Sequence, residues 1–247
     1  MQAGSAATQS GRGSDTYGPS GQKPRVVQFL VCPQNDFIGL PPGGTDWRPS
    51  KLHVGASAVR TLRGDGSPGG DPFVDTVCRL YDEGEWPRHE IRVVVDEDWH
   101  PADCPEFATF EPHCIKRTWG AELPGRLEGL RWDRRTRFLR ANSINIAADR
   151  KRYDEMIADV IGDADPLRVR VGVMGVWTHV KVEYLVFNLI TVEPRFAPTQ
   201  IGVCGPLCAS PDPADSEAAL RKFAKYLGVR VFPATDEYVA WLRGAAG

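Results

Sequence analysis

Short β-branched apolar runs recur along this chain, separated by helix-like segments, and that alternation limits the fold more than any other feature. RVVQFLVC (25–32), EIRVVVDEDWH (90–100) and LRVRVGVMGVW (167–177) are nearly continuous apolar stretches, with weaker ones at TQIGVC (199–204) and VRVFPA (229–234). Runs of this length with little alternation read as strands covered on both faces, the habit of parallel sheets. Between them, FVDTVCRLYDEG (73–84, ending near Gly84) and HVKVEYLVFNLIT (179–191) have apolar residues at helical spacing. SEAALRKFAKYLG (216–228) does too, with Ser216 placed to cap it and Gly228 to end it, and DEYVAWLRG (236–244) closes the series. Strands alternating with helices build βαβ units. The expected fold is a three-layer α/β/α Rossmann-like domain, with a mostly parallel central sheet and helices on both faces.

The chain has 247 residues, 42% hydrophobic and 25% charged, enough to bury a real core. Residues 1–24 are mostly Gly, Ser, Ala and Gln and have little to bury, so a flexible tail is expected ahead of a domain over 25–247. Within that domain, 38–72 is rich in Gly and Pro and reads as an insertion, with a short helical piece near HVGASAVRTL (53–62). The net charge of −2 gives no clear nucleic-acid signal. No apolar run approaches the roughly 20 residues of a membrane span. No apolar signal segment opens the chain, so its six cysteines are expected to be reduced thiols in a cytoplasmic protein.

Open parallel sheets bind ligands beyond the carboxyl ends of their strands. That rule selects Cys32–Phe37, Asp98–Cys104 and Trp177–Lys181, each following a predicted strand. The same clusters carry a family resemblance. VCPQNDF (31–37) resembles the VDxQNDF motif of the isochorismatase-like cysteine hydrolases, the superfamily that includes nicotinamidases. DEDWHPADCPEF (96–107) is similar to that family's DWHPxDHxxF segment, EPHCIKRTWGAELPGRL (111–127) to its PxHCVxGTxGAELxxxL, and GVWTHVKV (175–182) to its GxxTDxCV. The closing VRVFPATDEYVAWL fits its last strand and helix, so the likeness spans about 25–243.

The resemblance implies a Cys thiolate as nucleophile, an Asp as general base and a Lys that orients the site, with backbone N–H groups for the oxyanion. This chain departs at each position. Cys32 stands where the Asp belongs, Lys181 where the Cys belongs, and Arg140, in FLRANSINIA (138–147), where the Lys belongs. His179 replaces the Asp that follows Thr178, and Trp177 replaces a small residue and is large enough to fill a pocket. A protonated amine is a poor substitute for a thiolate, so Lys181 reads as a charge at a site that has lost its nucleophile. A Schiff-base lysine and an anion grip are its alternatives. Cys32 reads as a small buried residue. As a relocated nucleophile it would need a base, His179 or His100.

The metal-containing branch of the family implies a second set. Asp98 and His100 lie two apart on a strand and face one way, His113 matches the His of the PHC motif, and Cys104 falls where a fourth ligand belongs. Asp, His and Cys donors suit zinc, although the same motifs also serve as scaffold. Cys204 and Cys208 read as core and loop thiols, and Gln34, Asn35 and Asp36 as residues that fix the turn after the first strand.

The leading expectation is therefore a catalytically inactive pseudohydrolase, a binding, structural or regulatory subunit that forms a homo-oligomer or joins a protein partner. One alternative is a hydrolase of a small amide, imine or ester using Cys32 or a metal-activated water, in a pocket that includes Phe37, Trp177, Thr178 and His179. The other is a sensor in which Lys181 and Arg140 hold a small anionic ligand. A cofactor is not expected, apart from a divalent metal such as zinc.

Overall fold

The computed structural model describes residues 25–40, 50–81 and 91–244. The 1–24 tail, part of the 38–72 stretch and the helix stop at Gly84 lie outside the described residues. Six strands form one parallel sheet in the order β3-β2-β1-β4-β5-β6. They are β1 (Arg25–Val31), β2 (Ile91–Asp98), β3 (Thr136–Ala141), β4 (Val169–Val176), β5 (Ile201–Ala209) and β6 (Arg230–Phe232). The order runs outward from β1 in one direction and from β4 in the other, so the chain reverses between these two central strands. A crevice opens beyond their carboxyl ends at such a reversal.

The strands are there for the reason their sequences suggest. Val26, Phe29, Leu30, Val93, Val94, Val171 and Val173 are all inaccessible, because helices cover both faces of the sheet. The helices are α1 (Asn35–Ile38), α2 (Ala56–Arg63), α3 (Pro72–Tyr81), α4 (Arg150–Ile161), α5 (Glu183–Thr191), α6 (Pro213–Tyr226) and α7 (Thr235–Leu242). A π-helical turn, Thr178–Val182, leads into α5.

Three local expectations are corrected. Ser216 does not cap α6; Asp212 does, accepting from the Ala214 N–H with Pro213 opening the helix, while Ser216 is buried and its hydroxyl meets that of Thr178 at 2.9 Å. β5 runs on to Ala209, past a register shift against β4, because Gly205 and Pro206 are absorbed as an irregularity within the strand. Gln34, Asn35 and Asp36 reach beyond their own turn. Gln34 clamps the backbone of Asp98 on both sides, Asn35 holds the Trp119 carbonyl, and Asp36 accepts the Cys114 N–H at 2.6 Å.

Candidate active site and metal centre

Three strand ends converge on Asp98, the last residue of β2. Cys32 follows β1 directly, and its thiol donates to Asp98 Oδ2 at 3.5 Å. The Cys32 backbone has φ 45°, a left-handed conformation that costs a residue with a Cβ and persists where the surroundings hold it. From the turn after β4, the Lys181 ammonium donates to Asp98 Oδ1 and stands 3.4 Å from Asp96 Oδ1. All four side chains are buried. Sequence reasoning missed Asp96, although its position two before Asp98 on one strand puts both carboxylates on the same face.

Burial would strip Lys181 of its proton, but Asp96 and Asp98 outweigh it and hold its pKa well above the usual value. Burial likewise opposes the Asp98 charge, and Lys181, with help from His113, keeps that carboxyl ionised well below the ordinary range. Asp96 is raised to about 6, by burial first and by the neighbouring Asp98, with Lys181 pulling the other way. The Cys32 thiol is pushed well up by burial and by the Asp98 charge, partly offset by Lys181.

On the other side of Asp98 lie two imidazoles. A single parallel bridge between His100 and Ile115 draws the His113 segment alongside β2's end. The rings of His100 and His113 are 4.7 Å apart, edge to face, and Phe107 and Phe37 close the cage around them. His113 Nδ1 meets the Glu111 carbonyl at 2.7 Å, so it carries the proton. In the neutral ring this turns the Nε2 lone pair toward Asp98 Oδ2, 3.6 Å away. Burial opposes charging His113, but Asp98 and the Glu111 carbonyl prevail and raise its pKa. His100 is lowered to about 4, chiefly by burial, so it is neutral at pH 7. Its Nδ1 faces Cys104 Sγ at 3.3 Å, and its buried Nε2 makes no hydrogen bond.

One carboxylate and two imidazole nitrogens thus lie within 4.8 Å of one another. A cation between them would resolve both the facing lone pairs and the unpartnered nitrogen, so the donor set fits a divalent ion. Cys104 is not a fourth member. It is buried behind His100, with its thiol directed to the Asn142 carbonyl at 3.8 Å. Glu106, which sequence reasoning passed over, lines the pocket instead, its carboxyl raised by burial and by the Asp98 charge.

The pocket above this cluster holds about 320 Å³ of free space, counted out to its mouth. Cys32, Asp98, His113 and Lys181 form its polar end; Phe37, Leu52, Phe110, Ile144 and Trp177 are among its walls. Trp177 is a wall and not a plug, since its indole N–H is tied to the Leu52 carbonyl at 2.8 Å. The Val176–Trp177 peptide is cis.

Other expected site residues stand elsewhere. Thr178 is fully buried against Ser216, and His179 stacks on Trp177 with Nδ1 2.8 Å from the Ser210 hydroxyl, so neither lines the pocket. Arg140 pairs in register with Glu97, binds it at 3.0 Å and lies 4.0 Å from the Trp99 ring centre. Successive strand residues alternate faces, so Glu97 and Arg140 lie on the opposite side of the sheet from Asp96 and Asp98. Lys181 and Arg140 therefore do not converge on one anion.

No protein-family model matches the sequence, and no curated protein matches it. Solved structures do. The nicotinamidase/pyrazinamidase of Bacillus subtilis is 21% identical with a TM-score of 0.61, covering 84% of this chain and 98% of that one. An isochorismatase-like hydrolase from Alkaliphilus metalliredigens is 16% identical, at 0.60, over 88% and 99%. The pyrazinamidase of Pyrococcus horikoshii, solved in complex with zinc, is 19% identical, at 0.55, over 85% and 99%. At these identities the likeness is one of fold: the chain has the α/β fold of the nicotinamidases and isochorismatase-like hydrolases. Among the described residues, no helix is long and apolar enough to cross a membrane.

Proposed function

We propose that the protein binds a small molecule in the pocket between Cys32 and Trp177, together with a divalent ion such as zinc held by Asp98, His100 and His113. The ligand would set a compact apolar body against Phe37, Phe110 and Trp177 and a polar group toward Asp98 and Lys181. A bound ion would supply a Lewis acid at the pocket's polar end. The thiolate route that the family resemblance implies is closed at its usual place, because an ammonium already paired to two carboxylates stands there.

The observation that carries this reading is the unpartnered, buried His100 Nε2 beside the His113 Nε2 and Asp98. The zinc in the Pyrococcus horikoshii structure supports an ion of that kind on this fold. Metal analysis after zinc loading and dialysis should find one ion per chain, and His100→Ala or His113→Ala should abolish it. Zinc at 100 times its Kd should stabilise the fold by about 2.7 kcal/mol. A dialysed protein without metal, and without any zinc-dependent rise in Tm, would overturn the reading.

A second reading is an inactive subunit whose pocket is a relic. It draws on the raised Cys32 thiol and on the Lys181 charge being spent internally. It expects a homo-oligomer or a stoichiometric protein partner, and no saturable ligand in the pocket.

A further inference from the structure

We propose that the outer face of α5, flanked by α4 and α6, is the docking surface for a second copy of this chain, giving a two-fold dimer with α5 packed on α5. The proposal does not depend on what the pocket holds. The connections β3 to β4, β4 to β5 and β5 to β6 all run the same way across the sheet. Right-handed crossovers therefore put α4, α5 and α6 on one face, all pointing the same way. α4 packs over β1, β2 and β3, and α6 over β5 and β6, which leaves α5 in the middle of the layer. Its sequence, EYLVFNLIT, carries one charge, at its first residue. A helix with so little polar surface belongs in an interior. Its inner side chains Leu185, Val186 and Leu189 are inaccessible, yet Tyr184 and Phe187 stand 43% and 52% exposed. The neighbouring helix extends this patch. Thr178 meets Ser216 and Glu183 pairs with Lys222, spacings of 38 and 39 residues. Carried one turn further, the same spacing sets Phe187 opposite Tyr226, which is 72% exposed.

Three aromatic side chains of about 200 Å² each, exposed to this degree, present on the order of 300 Å² of apolar surface, the scale of the largest patch on a typical monomer. The charges around it point to a second copy as the occupant. Along α4 the exposed charges run from basic to acidic: Arg150, Lys151 and Arg152, then Glu155 and Asp159. Along α6 they run from acidic to basic: Asp215 and Glu217, then Arg221, Lys222 and Lys225. A two-fold axis parallel to α5 keeps the helix direction and exchanges left and right. It lays α4 along the second copy's α6, so that basic start meets acidic start and acidic end meets basic end. The same match repeats on the other flank of the aromatic strip. Some of these charges pair within their own helix, Lys151 with Glu155 and Arg221 with Glu217. Exposed pairs of that kind are held weakly, which leaves them free to exchange partners across an interface. An aromatic centre inside a charged rim is the general plan of protein–protein interfaces.

Sedimentation velocity of the full chain, over a hundredfold range of concentration, should show a reversible monomer–dimer equilibrium. Phe187→Glu should weaken it at least a hundredfold in a variant that still melts cooperatively. Trp132→Ser, which removes an exposed aromatic beside the edge strand β3, should leave it unchanged. Lys225→Glu and Glu155→Lys should each weaken the dimer about tenfold, and the two together should recover most of the loss, because the axis sets the acidic half of α4 against the basic half of α6. A further variant reads the geometry directly and does not depend on how a buried charge is tolerated. Phe187→Cys in a Cys78→Ser background, which removes the one exposed thiol of the six, should form a disulfide-linked dimer on mild oxidation, since the axis places residue 187 beside its own copy. A chain that is monomeric at every concentration, a dimer that survives Phe187→Glu, charge reversals that do not rescue one another, or a Phe187→Cys variant that does not cross-link would each overturn the proposal. A monomer that instead floats with anionic lipid vesicles would overturn it too, and would give the face to a membrane surface.

Discussion

Replacing Lys181 by Met should destabilise the protein by about 3–5 kcal/mol, the cost of leaving buried charge uncompensated. The side chains of Lys181, Asp96 and Asp98 are 5%, 0% and 5% exposed, so water cannot take over the lost role. At the 3.4 Å separation from Asp96, one unit-charge attraction is worth about 5 kcal/mol at an effective dielectric near 20, and much of it offsets desolvation. For a domain of this size each kcal/mol moves Tm by roughly 2–4 °C, so the expected drop is about 6–20 °C. Urea and thermal unfolding at pH 8 measure it. Two controls locate the cause. Adding Asp96→Asn and Asp98→Asn to Lys181→Met should restore at least half of the loss. The deficit should also shrink in acid. Asp96 is raised to about 6 in the folded protein, against about 3.8 unfolded, and loses a neighbour that lowers it when Lys181 goes. A carboxyl with a raised folded pKa binds its proton more tightly in the folded state, so its protonated form stabilises the fold at low pH and that stability is lost as pH rises through the folded pKa. The variant should therefore regain ground relative to the native protein as pH falls from 8 toward about 6, where the native Asp96 takes up its proton too and the gain levels off. A single variant within 1 kcal/mol of the native protein, or a triple variant no better than the single, would refute the reasoning.

Other consequences are simpler to state. If Lys181 and a divalent ion compete for Asp98, Lys181→Gln should bind zinc about tenfold more tightly by calorimetry, a gain of about 1.4 kcal/mol; unchanged affinity would place the ion elsewhere. Gly175→Ala should cost at least about 3 kcal/mol by urea unfolding, since its φ is 136° and a Cβ would lie 2.1 Å from the Val31 carbonyl oxygen. Gly129→Ala, with open space around the new methyl, should stay within about 0.5 kcal/mol. Ellman's reagent should find one fast thiol, Cys78, and five that react only on unfolding; Cys78→Ser should remove the fast phase, and a second fast thiol would contradict the burial of the rest.

The sheet's centre is legible in the sequence because burial on both faces leaves little choice of residue: β1, β2 and β4 are valine-rich runs. β3 escapes that reading. It is an edge strand, TRFLRA, with only Thr136 and Leu139 buried, so its pattern is neither continuous nor alternating. α4 has Tyr153, Met156, Ile157, Val160 and Ile161 buried at helical spacing, and its signal is plain once the motifs around it are set aside. The metal-type donors Asp98, His100 and His113 are legible because Asp98 ends a strand, His100 follows it two residues on, and the third is carried in by a motif. Cys104 is misplaced by spacing alone, since a residue four after His100 on an irregular loop can sit behind the ring as readily as before it.

The misplacement of Arg140 is more instructive. Motif alignment assigns a residue to a role by its order in the chain, whereas the crevice assigns it by which face of which strand end it leaves from. Glu97 and Arg140 leave from the far face, so the cation of the site cannot come from β3 through that residue. It comes from the turn after β4, where Lys181 stands at the position of the expected thiol, while the thiol comes from β1 and the carboxylates from β2. The crevice between β1 and β4 receives side chains from several strand ends at nearly one point, and a carboxylate there can meet a thiol and an ammonium whichever strand supplies each. A reading by position finds the expected nucleophile lost. A reading by contact finds a thiol, a carboxylate and an amine touching at the polar end of an open pocket, with all of the exchange in their addresses.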